Sequence, residues 1–284
     1  MFTLNCRGKL TELAKPAVMG IINATPDSFY AGSRATELES LISKASSMID
    51  EGVDIIDIGG QSTRPGSDRV SIEEELVRVI PAIKAVRSLF SDVLISIDTF
   101  YAKVAEEAVN AGASIINDIS GGDLDADMIT TAASLGVPYI IMHMKGDPKN
   151  MNNFAQYEDV SLEVLDHLIK KAKCCREAGI SDIIIDPGFG FAKNITQNFQ
   201  LLNRLDTFGI AKYPLLVGVS RKSMVYKTLG IAAEDALTGT TALHTIALLK
   251  GANILRVHDV KEAVQVVELM EVYKKAAPEG SGSI

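Results

Sequence analysis

The chain has 284 residues, 47% of them hydrophobic, and a formal net charge of −8. That length allows one large α/β domain or two small ones, and the acidic balance without long Lys/Arg runs excludes broad binding to a nucleic-acid backbone, so any anionic ligand must be met locally. No apolar run approaches the roughly 20 residues of a membrane span, and residues 1–5 lack the basic start of a signal peptide, so a cytoplasmic protein is expected.

Phe2, Leu4 and Cys6 alternate with polar residues before Arg7-Gly8, which predicts a short N-terminal hairpin suited to floor the main fold. A first core strand over 17–22 runs into a Pro-punctuated loop, and from Thr36 the apolar residues Leu38, Leu41, Ile42, Ala45 and Ile49 share a helical face that ends at Gly52. A strand over 53–58 leads to a Gly/Ser/Arg loop and a helix opened by Ser71, with Glu73, Glu74 and Glu75 placed to complement the helix dipole. Strands over 93–98, 114–117 and 139–143 follow, the first two with helices near 102–110 and 126–135. Val160, Val164, Leu165, Leu168, Ile169 and Ala172 then form an amphipathic stripe ended by Gly179, and further strands are expected over 182–186, 215–219 and 254–257, each with a helix after it.

Apolar strands alternating with helices over about 250 residues fit a closed (β/α)₈ TIM barrel, with its strands covered on both sides. The expected organisation is one domain over residues 1–275 and a flexible tail over 276–284. An open doubly wound sheet is the alternative, disfavoured because no G-x-G-x-x-G follows the first strand. Cys6, Cys174 and Cys175 give neither an even disulfide framework nor a metal spacing and read as reduced and structural. The four histidines, His143, His167, His244 and His258, contain no H-x-x-x-H pair.

In a barrel every strand C-terminus opens on one face, so residues far apart in sequence can converge there. Asn23, Arg64, Arg256 and His258 sit at or just past strand ends and read as an anion pocket, since guanidinium groups bind phosphate oxygens in a planar, bidentate way. The alternative is that both arginines pair with surface carboxylates. The carboxamide of Asn23 can also offer its oxygen to Mg²⁺, an ion that keeps most of its waters. Asp98, Asn117, Asp186 and Lys222 form a second group; a carboxylate such as Asp186 can grip an edge with two adjacent N–H groups, as in a 2-aminopyrimidinone. Helix capping competes with this reading, most strongly at Asp98.

Residues 19–29, 57–66, 96–99, 116–122, 186–191, 218–222 and 256–258, among them Asp186-Pro-Gly-Phe-Gly-Phe191 and Gly218-Val-Ser-Arg-Lys222, resemble the successive motifs of the dihydropteroate synthase family, in family order. The resemblance implies condensation of 6-hydroxymethyl-7,8-dihydropterin pyrophosphate with p-aminobenzoate, in a homodimeric enzyme using Mg²⁺. By the same resemblance, Asp98, Asn117, Asp186 and Lys222 hold the pterin, with Arg256 stacked on its ring. Asn23, Arg64, Arg256 and His258 hold the pyrophosphate, and Thr63, Pro65, Phe191, Ser220 and Lys222 surround p-aminobenzoate. Gln61 stands where the family commonly has glutamate, and Ala31 where it commonly has aspartate. A pterin-dependent methyltransferase, which needs no pyrophosphate pocket, and a pterin-binding module without turnover are the rival readings.

Overall fold

The computed structural model describes residues 2–24, 34–61 and 69–276. β1 (Phe2–Cys6) and β2 (Lys9–Leu13) form the antiparallel hairpin. The eight strands of the main sheet are β3 (Ala17–Asn23), β4 (Ile55–Gly59), β5 (Leu94–Asp98), β6 (Ile115–Asp118), β7 (Tyr139–Met142), β8 (Ile183–Asp186), β9 (Leu216–Val217) and β10 (Ile254–Val257). They pair in parallel, in the order β8-β7-β6-β5-β4-β3-β10-β9, and a bridge between Ile185 and Leu215 joins the two ends. The result is a nearly closed (β/α)₈ barrel.

Helices follow the strands: α1 (Arg34–Asp50), α2 (Ile72–Leu89), α3 (Ala102–Ala111), α4 (Met128–Leu135), α5 (Val160–Glu177), α6 (Ile195–Asn203), α7 (Ser223–Leu229), α8 (Leu237–Leu249) and α9 (Val260–Lys275). Their apolar faces pack on the outward-pointing strand residues, for example Val79 and Ile83 of α2 with Ile56 and Ile58 of β4. The Ser71 hydroxyl accepts from the Glu74 N–H and caps α2. Glu73, Glu74 and Glu75 all lie in the first turn of α2, as expected; Glu73 and Glu74 are exposed and Glu75 is fully buried. The α5 stripe holds except at Ile169, which lies past its edge in solvent.

β9 is shorter than the expected 215–219 strand. After Val217 the chain leaves the ladder for a turn in which the Lys222 N–H donates to the Val219 carbonyl and Arg221 adopts φ +52°. That turn swings Lys222 back over the barrel mouth.

The barrel interior is layered because residues two apart on a strand face the same side. Met19, Ile55, Ile115, Ile140, Ile184, Leu216 and Ile254 form an apolar floor, closed beneath by Leu4, Cys6 and Leu13 of the hairpin. The Asn5 N–H donates to Asp182 Oδ2 at 2.7 Å and ties the hairpin to the base of β8. One step up the strands the inward positions become Asp57, Asp98, Asn117, Met142, Asp186 and Arg256.

Candidate functional site

This polar layer is the candidate active site, and Arg256 is its centre. Its Nε donates to Asp57 Oδ2 at 2.7 Å and its Nη2 to Asp98 Oδ2 at 2.6 Å. Asn117 Nδ2 donates to the same Asp57 oxygen at 3.1 Å. Strands four places apart in the sheet order are thus joined by one buried network. Burial works against the Arg256 charge, yet Asp57 and Asp98 overcome it and raise its pKa above the usual range. Arg256 therefore pairs with carboxylates inside the mouth, and the surface-pairing alternative does not describe it.

Burial lifts the Asp98 carboxyl to about 7, against the pull of Arg256 and with the push of Asp57. One oxygen of each acid, Asp57 Oδ1 and Asp98 Oδ1, is buried without a hydrogen-bond partner. Such an oxygen is costly until a donor reaches it. Capping does not occupy Asp98: Tyr101 holds the cap position of α3, and the Ala102 N–H donates to Asp125 Oδ2 at 2.8 Å.

Across the mouth, Asp186 Oδ1 accepts from the Gly188 N–H at 2.8 Å. Burial raises its pKa, opposed chiefly by Lys222. Gly188 has φ +71°, and a Cβ there would meet the His143 carbonyl at 2.1 Å, so only glycine lets the loop fold this tightly over β7. Lys222 Nζ donates to the Phe189 carbonyl and lies 4.9 Å from the centre of the Phe191 ring. Burial lowers the Lys222 pKa to about 8 while Asp186 holds it up. A cavity of about 490 Å³ adjoins this corner, lined by Lys193, Asn194, Thr196, Ser223 and Lys227.

At the β10 end, His258 Nδ1 lies 3.0 Å from Ser220 Oγ, and the His258 N–H donates to the same oxygen at 3.1 Å. Desolvation and then the charges of Arg256 and Lys44 lower the His258 pKa. Asn23, half-buried, ends β3 beside β10.

Of the residues expected from the sequence, Asp98, Asn117, Asp186, Phe191, Ser220, Lys222, Arg256 and His258 therefore sit around one barrel mouth, with Asn23 on its rim. Thr63, Arg64 and Pro65 lie outside the described residues, as do Ala31 and the tail beyond 276. Sequence reasoning missed Asp57; the signal was the alternation Ile55, Asp57, Gly59 on the inward face. Gln61, the departure from glutamate, donates through Nε2 to Glu75 Oε2 at 2.8 Å behind this wall. His143 is packed against His167 and Tyr157 and bonded to Lys193.

Neither buried thiol is set up as a nucleophile: burial pushes Cys6 up to about 11 and Cys175 up to about 12. Among the described residues no helix is long and apolar enough to cross a membrane. Nor do three His, Cys, Asp or Glu side chains among them gather as a metal site.

A family model described as pterin binding enzyme matches residues 19–258. The dihydropteroate synthase of Escherichia coli K12 is 44% identical over 270 residues, covering 94% of this chain and 95% of that protein. That of Haemophilus influenzae is 42% identical over 275 residues, covering 96% and 99%. The structure of Yersinia pestis dihydropteroate synthase with a sulfonamide drug complex superposes with a TM-score of 0.91 at 42% identity, covering 97% of this chain and 100% of that one. The Xanthomonas albilineans enzyme with 4-aminobenzoic acid gives 0.90 at 38% identity, covering 97% and 99%.

Proposed function

The chain belongs to the dihydropteroate synthase family of pterin-binding enzymes, transferases that join a pterin to an arylamine, and from that premise we propose how its residues divide the work. The reaction condenses 6-hydroxymethyl-7,8-dihydropterin pyrophosphate with p-aminobenzoate to give 7,8-dihydropteroate and pyrophosphate. The observation that carries the assignment is the convergence of Asp57, Asp98, Asn117, Asp186, Lys222 and Arg256 on one mouth, with unpartnered carboxylate oxygens on Asp57 and Asp98.

Asp186 accepts the two adjacent N–H groups of the pterin edge, Asn117 serves the mixed donor and acceptor edge, and Asp98 takes a further N–H. Arg256 leaves one planar face for the ring while its charge faces the diphosphate, which Arg64 and His258 also meet. The bond that breaks joins the pterin methylene to the diphosphate oxygen. The dihydropterin ring spreads the cation that forms, and Asp98 with Asp57 stabilises it, so charge placement and positioning replace a protein nucleophile. The neutral arylamine, held by Thr63, Pro65, Phe191, Ser220 and Lys222, attacks the methylene carbon and loses its proton afterwards.

Mg²⁺ fits this site as an ion carried by the diphosphate: Asn23 offers one neutral oxygen, enough for an ion that takes its other ligands from phosphate and water, and what it supplies is neutralisation of the leaving group. We assign residues 1–275 to a single domain followed by a tail. The exposed apolar residues Ile246, Leu249, Leu269, Val272 and Tyr273 of α8 and α9 are the proposed contact of a homodimer, an assignment that a monomer mass in sedimentation would remove. The three free cysteines suit a reducing cytoplasm.

Pyrophosphate release is the test. With the pterin diphosphate, p-aminobenzoate and Mg²⁺ all present, one pyrophosphate is expected for each dihydropteroate formed; release without dihydropteroate when the arylamine is present, or binding without any release, refutes the transfer.

A further inference from the structure

The least explained charge near the mouth is Lys193. It is only 6% exposed, and the sequence gives no reason to bury it, since it opens a polar helix start. Its Nζ donates to the Gly188 carbonyl at 2.9 Å and the Phe191 carbonyl at 3.0 Å, and lies 3.0 Å from His143 Nδ1. Nζ thus donates to two backbone carbonyls and is within hydrogen-bond distance of a ring nitrogen. Burial pushes the Lys193 pKa well below the usual lysine range, with Asp186 holding it up, so an amine here carries a cost that an apolar side chain plugging the same gap would avoid.

The partners explain where the side chain acts. The N–H of Gly188 holds Asp186, and the ring of Phe191 lies against Lys222. Between Phe191 and Lys193, Ala192 sits at φ +48°, a left-handed conformation that a non-glycine residue seldom adopts. The Tyr157 hydroxyl, donating to the Ala192 carbonyl at 3.0 Å, and the Lys193 bonds to Gly188 and Phe191 hold it there. The other lysine of the mouth is delivered the same way, with Arg221 at φ +52° immediately before Lys222.

Resting on the assignment of Asp186 to the pterin edge, we propose that Lys193 is the positioning residue of the pterin grip. Through its bonds to the Gly188 and Phe191 carbonyls it locks residues 188–191 into the shape that holds Asp186. The basic groups facing Asp186 are Lys222, Arg256 and Lys193; those facing Lys193 are Lys222 and Lys145, with His143 and Asp186 its other titratable neighbours. Without Lys193 the Gly188 N–H is no longer fixed on Asp186 Oδ1, and that bond helps hold the Asp186 pKa down. The Asp186 pKa should rise, and pterin affinity should fail at a higher pH than in the parent enzyme.

The test is calorimetric titration of the intact enzyme with the pterin diphosphate, across pH, for Lys193→Met, Lys193→Arg and Asp186→Ala. Lys193→Met is expected to keep the parent melting temperature, lose at least about tenfold in affinity at neutral pH and shift the acid limb up by about one pH unit. Lys193→Arg, which can still donate to both carbonyls, should leave the limb in place. Unchanged affinity in Lys193→Met, an unmoved limb, or the same limb shift in Lys193→Arg overturns the proposal. If Lys193→Met does not fold, the parent enzyme labelled with ¹⁵N-lysine decides. The side-chain nitrogen signal missing from Lys193→Arg must move when the pterin binds, and a signal that stays put refutes the role. Asp186→Ala separates the two failures. If it binds pterin normally, the site assignment falls; if it abolishes binding while Lys193→Met is silent, only this inference falls.

Discussion

The floor and the mouth of the barrel are built from the same strands, two residues apart, and they obey opposite rules. Ile55 and Asp57, Ile115 and Asn117, Ile184 and Asp186, Ile254 and Arg256 are paired steps on one inward face. The lower residue of each pair meets only hydrocarbon, sealed by Leu4, Cys6 and Leu13. The upper one meets charge, and two of the carboxylates keep an unpartnered oxygen. Burial is nearly complete in both layers, so burial alone does not tell a stabilising position from a working one. Hydrogen-bond partners separate the two polar neighbours that end β6. Asp118 makes the point within one strand: its oxygens are consumed by Ser120, Gly122 and the Tyr139 hydroxyl, and it is a structural acid beside a working Asn117.

If the layers are separate in function, truncating the floor must cost stability and spare chemistry. Ile184→Ala removes a fully buried side chain two residues below Asp186 and is expected to cost about 3 kcal/mol in urea unfolding, with kcat/KM within about threefold of the parent. A large loss of kcat/KM at unchanged stability would break the comparison. The mouth should behave in reverse. Arg256→Lys keeps a positive charge but cannot bond Asp57 and Asp98 together or present a flat face to a ring. A loss of roughly a hundredfold in kcat/KM, about 2.7 kcal/mol, is expected with little change in the unfolding midpoint. Near-parent turnover would show that charge without planarity suffices.

The fold was legible because strand and helix periods alternate cleanly and the hairpin announces itself at Arg7-Gly8. The mouth was legible wherever a polar residue ends an apolar run, as at Asp98, Asn117 and Asp186. Asp57 was not, because it lies inside its strand and reads as an interruption of an apolar run. Lys193 and Glu75 escaped for a different reason. Each is a charged residue in a helix-start context where solvation is the ordinary outcome, and its burial depends on tertiary neighbours that no local pattern encodes. Strand β9 was overdrawn because Gly218 and Val219 look like strand but are taken by the turn that returns Lys222 to the site.

Glu75 supplies the finest test, since it is a buried acid outside both layers whose bonded partner is an amide instead of an arginine. It lies on the outer side of β4, where a Cβ on Gly60 would come within 2.8 Å of its Cγ. Burial lifts its carboxyl to about 8, against a Thr99 hydrogen bond and with a push from Asp98, so it is mostly protonated at neutral pH. The unfolded chain releases that proton near pH 4.3. Between those values the folded state binds the extra proton, so stability falls as pH rises from about 5 to 8 and levels off above. In Glu75→Gln this loss disappears, and Gln61 can turn its amide oxygen toward the new donor. Unfolding free energies at pH 5.5 and 8.5 should therefore move in favour of the variant by about 1 kcal/mol across that window, well short of the full shift because relaxation softens a buried charge. Parallel pH profiles would mean that Glu75 is ionised in the native state and that Gln61 holds a carboxylate, as an arginine would.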